Sequence, residues 1–148
     1  MTGDLLDEMW TRMMTLFIDR RDAMFRLLAD HDLTPPHAHA LGMLRDGPQR
    51  MRDMAERMSC DASYITAIVD RLEERGLAER RASESDRRSK EIALTAPGER
   101  LAGDIADTMR AVPPAFSRLT RAERATLAGL LAKAVPEPAG DPFVPPRR

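Results

Sequence analysis

Apolar residues recur at helical spacing along most of this chain. Leu5, Met9, Met13, Leu16, Phe17, Met24, Leu27 and Leu28 fall mostly three, four or seven positions apart, and Leu6 and Trp10 widen the stripe. That spacing predicts a long amphipathic helix over roughly residues 4–30. Its apolar surface exceeds what one small domain needs, so the helix is expected to pack against a second subunit as well as a core. Asp30-His31-Asp32-Leu33 breaks the pattern, and Asp30 and Asp32 read as solvated loop residues. Thr34 is a good N-cap and Pro35 suits the first position of a second helix, which runs through His39, Leu41 and Leu44 to Gly47-Pro48.

Met51, Met54, Ala55 and Met58 give the i, i+3, i+4, i+7 pattern of a short third helix. Arg50 stands at its N-cap, where a Ser or Thr would be usual. Ser59-Cys60-Asp61-Ala62 forms a turn, with Asp61 as the next N-cap. A positive φ at Ser59 would carry strain on the order of 1 kcal/mol. Ile65, Val69 and Leu72 mark the buried stripe of a fourth helix, and Gly76 stands where a helix-ending glycine belongs.

The period then changes. Residues 77–81 (Leu-Ala-Glu-Arg-Arg) and 90–94 (Lys-Glu-Ile-Ala-Leu) read as two short strands around a polar loop, 82–89. Thr95 caps a further helix carrying Leu101, Ile105, Met109 and Val112, which Pro113-Pro114 must kink or end. Thr120 and Glu123 make a capping box for a last helix with Leu127, Leu130 and Leu131. From Pro136 the chain is Pro-rich and unpatterned, as expected of an arm over 136–148. The expected fold is mainly α with a small β-wing, a winged helix-turn-helix. One domain would span 1–135, with a lobe at about 34–95 between terminal helices at about 4–30 and 96–135.

Composition sharpens this picture only in places. The 148 residues are 43% hydrophobic, 32% charged and 4% aromatic, with ten methionines, so the core is aliphatic and adaptable. The formal net charge is −1, so affinity for nucleic acid has to come from local clustering. Such a cluster exists. From Arg75 to Lys90, the cations Arg75, Arg80, Arg81, Arg87, Arg88 and Lys90 face only Glu79, Glu84 and Asp86. An arginine at a wing tip suits a narrow, electronegative minor groove. Beside it, Ser63, Tyr64, Thr66 and Ala67 lie at the start of the fourth helix, away from its apolar stripe. Hydroxyls there suit bases or phosphates, and the Ala67 methyl suits a thymine methyl. Arg71 and Arg81 complete the expected DNA-contacting set with Arg87 and Arg88.

Other chemistries find little footing. No Gly-rich phosphate loop, H-E-x-x-H or nucleophile motif is present, so no enzyme and no cofactor are expected. His37 and His39, two apart on a helix, point to nearly opposite faces and do not chelate one ion together, and no metal site is expected. One cysteine, Cys60, forms no disulfide within the chain, which fits a reducing cytoplasm. Its place before the fourth helix leaves redox sensing as one alternative, beside packing. A winged helix used only as a protein adaptor is another. No apolar run approaches the roughly 18 residues of a membrane span, and the first residues do not resemble a signal peptide.

The run Asp70-Arg71-Leu72-Glu73, Gly76-Leu77, Asp86-Arg87-Arg88, then Leu94-Thr95 and Gly98 resembles the MarR family of bacterial transcription regulators. These motifs cover about residues 34–100, and their order and spacing are more specific than any one of them. The resemblance implies a homodimer with interdigitated terminal helices. It also implies binding to a pseudo-palindromic operator in double-stranded DNA, usually as a repressor. A small aromatic or phenolic effector would bind between the dimer helices and the DNA-binding lobe, with Trp10, Met13, Phe17, His37 and Leu41 as the expected lining. By the same resemblance Arg88 is the wing arginine and Asp70 its partner, and with Asp86 it would orient the wing. Pro113-Pro114 is an unusual interruption of the second dimerisation helix.

Overall fold

A computed structural model describes residues 2–84 and 88–136. The elements are α1 (Thr2–Asp30), α2 (Pro35–Leu44), α3 (Met51–Met58), α4 (Ala62–Glu74), β1 (Ala78–Ala82), β2 (Lys90–Leu94), α5 (Ala96–Arg110) and α6 (Arg121–Ala134). A short 3-10 turn, Pro114–Arg118, precedes α6. The mainly helical fold with one small antiparallel sheet is the one expected. Asp86 and Arg87, and residues 137–148 of the expected arm, lie outside the described residues.

The chain divides into two compact units, one of residues 24–107 and one of 2–23 with 108 onward. The first unit, the lobe, takes in the end of α1 and most of α5, so it reaches further than the span 34–95 suggested by motifs. Its core is closed: Leu28, Leu41, Met54, Ile65, Val69, Leu72 and Ile92 are at most 1% exposed. Ile68 joins the expected stripe of α4, because about 100° per residue places it beside Ile65 and Leu72.

Three helices of the lobe end alike. The last turn is closed by a pair of backbone hydrogen bonds around one residue of left-handed backbone. At α1, Leu33 N–H donates to Leu28 O (2.9 Å) and Asp32 N–H to Ala29 O (2.9 Å). At α3, Cys60 and Ser59 donate to Ala55 and Glu56. At α4, Leu77 and Gly76 donate to Leu72 and Glu73, each at 2.8 Å. The left-handed residues are Asp32 (φ 54°), Ser59 (φ 51°) and Gly76 (φ 65°). Only the last is the glycine that adopts this conformation freely; the other two each carry on the order of 1 kcal/mol of strain.

The α4 bond to Leu77 also explains why β1 starts at Ala78, one residue later than expected: the Leu77 N–H is already used. β1 pairs antiparallel with β2, from Ala78 opposite Leu94 to Ala82 opposite Lys90. Gln49 adds a bridge on the far edge of β2, exchanging both backbone hydrogen bonds with Ile92. Thr95 then locks the sheet to α5. Its hydroxyl donates to Gly76 O (2.6 Å) and accepts from Gly98 N–H (3.1 Å). Gly98 has to be glycine, since a Cβ there would sit 1.8 Å from Leu77 O.

In the second unit the Thr120–Glu123 capping box forms, with Glu123 N–H on the Thr120 hydroxyl (3.3 Å) and Thr120 N–H on the Glu123 carboxylate (2.7 Å). The prolines end α5 at Arg110, and Arg124 donates to Phe116 O and Ser117 O across the following turn. Arg20 reaches Thr108 O (3.2 Å). No residue of α6 is buried. Among the described residues, no helix is long and apolar enough to cross a membrane.

Candidate nucleic-acid interface

The exposed side of α4 is built from its first turns. Asp61 caps the helix by accepting Tyr64 N–H (2.8 Å) and the Ser63 hydroxyl (2.6 Å). Those two bonds, Ser63 first, hold the Asp61 carboxyl below the usual carboxylate range. Thr66 donates its hydroxyl to Ala62 O (2.7 Å). Both hydroxyl protons are thus used inside the helix. What Ser63 and Thr66 present outward is acceptor lone pairs. Ser63, Tyr64, Thr66 and Ala67 are all exposed.

Helical geometry sorts the rest of α4. At about 100° per residue, Ser63, Ala67, Asp70 and Glu74 form the outward line, opposite the buried stripe. Tyr64, Arg71 and Arg75 fall on one flank, Thr66 and Glu73 on the other. Ion pairs grip both flanks, with opposite polarity. On the first, Arg71 and Arg75 both bond one oxygen of Asp32, and Arg71 also meets Glu74 (3.1 Å). On the second, Arg80 of β1 bonds Asp70 (2.6 Å) and Glu73, while Arg80 N–H donates to Glu73 Oε1 (2.9 Å). These groups are part-exposed, so each pair contributes only about 0–1 kcal/mol to folding. Their larger effect is to define how α4 sits between the α1–α2 turn and the wing.

This arrangement revises several expectations. Asp32, read as a solvated loop residue, is the hub of the first flank. Arg71, expected among the DNA contacts, is held by Asp32 and Glu74. Asp70 bonds Arg80, a partner that the sequence did not suggest beside the expected Arg88. Arg81 lies opposite Glu91 on the strand pair and bonds it at 3.1 Å, with Glu84 at 3.9 Å. The positive excess of the wing is therefore partly neutralised by acids lying outside the 75–90 run. Arg88 is exposed in the wing. The carboxylate of Asp32 and the role of Arg80 were not legible: Arg71 and Arg75 share a face by their spacing, but nothing local ties them to a residue 39 and 43 positions earlier.

The expected effector-lining residues divide between the units. Trp10, Met13 and Phe17 are exposed on α1. Leu41 is enclosed in the lobe core with no exposure, so its side chain presents no surface for a ligand. His37 is half-buried at the start of α2, where its Nδ1 accepts Thr34 N–H (3.1 Å). Burial, and then the nearby Arg71 charge, lower its pKa below the ordinary value. Cys60 is a free, part-buried thiol packed against the core.

Comparison with known proteins agrees with this geometry. Residues 33–90 match the model of the MarR family. A putative transcriptional regulatory protein for the hcr operon of Thauera aromatica is 40% identical over 79 residues, 53% of this chain and 48% of that protein. The HTH-type transcriptional regulator YfiV of Bacillus subtilis is 38% identical over 65 residues, 43% of this chain and 41% of that protein. The chain thus spans about half the length, or less, of these two relatives. The HTH-type transcriptional repressor MdtR of Bacillus subtilis is 27% identical over 87% of this chain and 84% of its own. Among solved structures, the YusO protein of Bacillus subtilis superposes with a TM-score of 0.75 at 26% identity, covering 90% of this chain and 96% of that one. An S. aureus MepR mutant bound to an oligodeoxyribonucleotide shares the fold, with a TM-score of 0.71 at 21% identity over 86% of this chain and 94% of its own.

Proposed function

We propose that this chain is a MarR-family transcription regulator that binds duplex DNA as a homodimer, α4 entering the major groove with the wing beside it. The observation that carries this reading is the exposed N-terminal face of α4. Ser63, Tyr64, Thr66 and Ala67 project from a helix whose buried side is fixed in the core and whose flanks are fixed by ion pairs. Ser63 and Thr66, as lone-pair acceptors, suit the amino groups of adenine or cytosine. The wing cations Arg81, Arg87 and Arg88, with Lys90, supply the sequence-tolerant part of the affinity. Support from other proteins is of two kinds: the relative MdtR is a repressor by name, and the fold occurs in MepR bound to an oligodeoxyribonucleotide.

A homodimer on a pseudo-palindromic operator completes the reading. The exposed apolar residues of α1 and α6 would bury each other across the dimer axis. We place the protein in the cytoplasm, as a repressor released by a small aromatic or phenolic effector. Trp10, the one tryptophan, makes effector binding testable by fluorescence titration with a panel of phenols.

The decisive experiment is selection of duplexes from a random pool, followed by gel shift on the selected sequence. Two protomers should bind one duplex of two-fold symmetric sequence. Thr66→Ala should lower discrimination against mismatched duplexes by about 1–3 kcal/mol while leaving random-duplex affinity unchanged. A chain that enriches no sequence and shifts no duplex at low salt is not a DNA-binding regulator.

A further inference from the structure

We propose that Asp32 is a specificity-positioning residue: its carboxylate fixes the orientation of α4 and keeps the Arg71 and Arg75 guanidiniums off DNA phosphates. The proposal rests on the DNA-binding reading above.

Asp32 occupies the one position of the α1 terminus that requires left-handed backbone, with φ 54°. Glycine adopts that conformation freely, and asparagine and aspartate are the residues that best tolerate it otherwise. Gly76 fills the equivalent place at the end of α4. Backbone tolerance alone does not distinguish aspartate from asparagine or glycine at this place; its charge does. The task visible for that charge is to hold two guanidiniums, one helical turn apart on α4, on a single carboxylate oxygen. The pairing contributes little to folding, because the Asp32 side chain is 66% exposed and water competes for it.

Its position suits recognition better than stability. Arg71 and Arg75 lie on the same flank of α4 as Tyr64. A free guanidinium there would reach for any phosphate, adding affinity without sequence information. Held by Asp32, the two arginines anchor α4 to the α1–α2 turn. On the other flank Arg80 anchors Asp70 and Glu73 to the wing. Removing Asp32 leaves α4 without its ion-pair anchor to the α1–α2 turn, releases Arg75, and leaves Arg71 only its exposed pair with Glu74, which a phosphate can displace. These changes favour random DNA over a chosen sequence.

The test compares the full-length chain with Asp32→Asn and Asp32→Gly. Asparagine keeps the shape and the backbone tolerance without the charge. Glycine also removes the strain, so it keeps the experiment informative if the asparagine variant is poorly folded. Each is titrated against the duplex selected by the unaltered chain and against a random duplex of equal length, over a range of salt. Both variants should bind random duplex more tightly, with the log–log salt slope steeper by about one for each guanidinium released to a phosphate. The ratio of selected to random affinity should fall about tenfold or more. Asp32→Gly should melt no lower than the unaltered chain. In an Arg71→Ala background the same change should alter the ratio far less. An unchanged ratio and salt slope in Asp32→Gly overturns the proposal, as does an equal loss on both duplexes. If the unaltered chain itself binds no duplex, the DNA-binding reading fails, and this proposal with it.

Discussion

Leu41, Met54, Val69 and Leu72 of the lobe have no solvent exposure, whereas Leu5, Trp10 and Leu130 in the flanking segments are 60–70% exposed. The two regions draw on the same residue types. The lobe closes them over with five helix faces and a sheet. The segments 2–23 and 108–136 leave them on the surface. Among the described residues, the exposed large apolar side chains of the lobe are Phe25 and Tyr64 alone. Apolar density along the sequence therefore does not mark where the core is. An apolar surface of this extent usually marks an interaction site. The lobe buries its own apolar side chains, and on the proposed homodimer reading the flanks would bury theirs against a second copy.

The largest effects should separate the two regions in stability. Leu41→Ala opens a cavity in the closed core and should cost about 2–5 kcal/mol in denaturant unfolding. Gly98→Ala forces a Cβ onto Leu77 O, at the joint where Thr95 ties α5 to the end of α4, and should cost about 3 kcal/mol. Leu5→Ala, at a residue 70% exposed, should change unfolding of the dilute chain by no more than about 0.5 kcal/mol. Comparable losses at Leu41 and Leu5 would erase the distinction.

Assembly should show the reverse ordering. A Leu6→Glu, Trp10→Glu double substitution touches no residue of the lobe core. Light scattering should nonetheless fall from about twice the 16.6 kDa chain mass to the chain mass. Binding to the selected duplex should fall with it, since two linked half-sites are held far more tightly than one. A variant that remains dimeric would move the dimer contact away from the α1 apolar face. A monomer that binds as tightly as the unaltered chain would remove the dimer from the mechanism.

Much of the lobe was legible because its signals are local. Capping residues, a helix-ending glycine and a change of hydrophobic period from helix to strand fix each element within its own few residues. Thr34, Asp61, Gly76 and Thr95 all act where they stand in sequence, as does the Thr120–Glu123 pair in the other unit. The ion pairs were not legible, because long side chains choose partners in space. Asp70 went to Arg80 of β1, Arg71 to Asp32, and only the fold brings those residues within reach. Gln49 on the edge of β2 was missed for the same reason, since a single bridge leaves no pattern. Gly98 stood in a recognised motif, but its reason, the Leu77 carbonyl pressed against its Cα, needs the tertiary structure.

A smaller effect concerns strain inside the lobe. Ser59 ends α3 in the left-handed conformation with its side chain exposed. Its role there is backbone geometry, unlike that of Asp32. Ser59→Gly should therefore stabilise the lobe by about 0.5–1 kcal/mol, measured as a raised denaturant midpoint at unchanged slope. It should leave duplex selection as it was. Destabilisation would mean that the extra freedom gained by the unfolded chain outweighs the strain removed.

The smallest effect is a pH dependence that belongs to the lobe alone. All three histidines lie within it, at 31, 37 and 39. Burial lowers the pKa of His37, against an opposing backbone hydrogen bond at Thr34 and with the charge of Arg71 adding to it, and burial, then the charge of Arg57, lowers that of His39. Both rings are therefore neutral in the folded lobe at a pH where the unfolded chain has begun to take up protons. The sign follows from linkage: wherever the unfolded state binds more protons, stability rises with pH. Lobe stability should be full above the ordinary value of 6.5 and decline as pH falls below it, until the folded-state rings protonate in turn. Urea midpoints measured from about pH 7.5 down to about pH 5.5 should show this decline, and His37→Gln with His39→Gln should flatten it. The partly exposed setting of both rings keeps the effect modest. A decline that survives both substitutions would assign it to other groups and leave the lobe and its flanks alike in their response to acid.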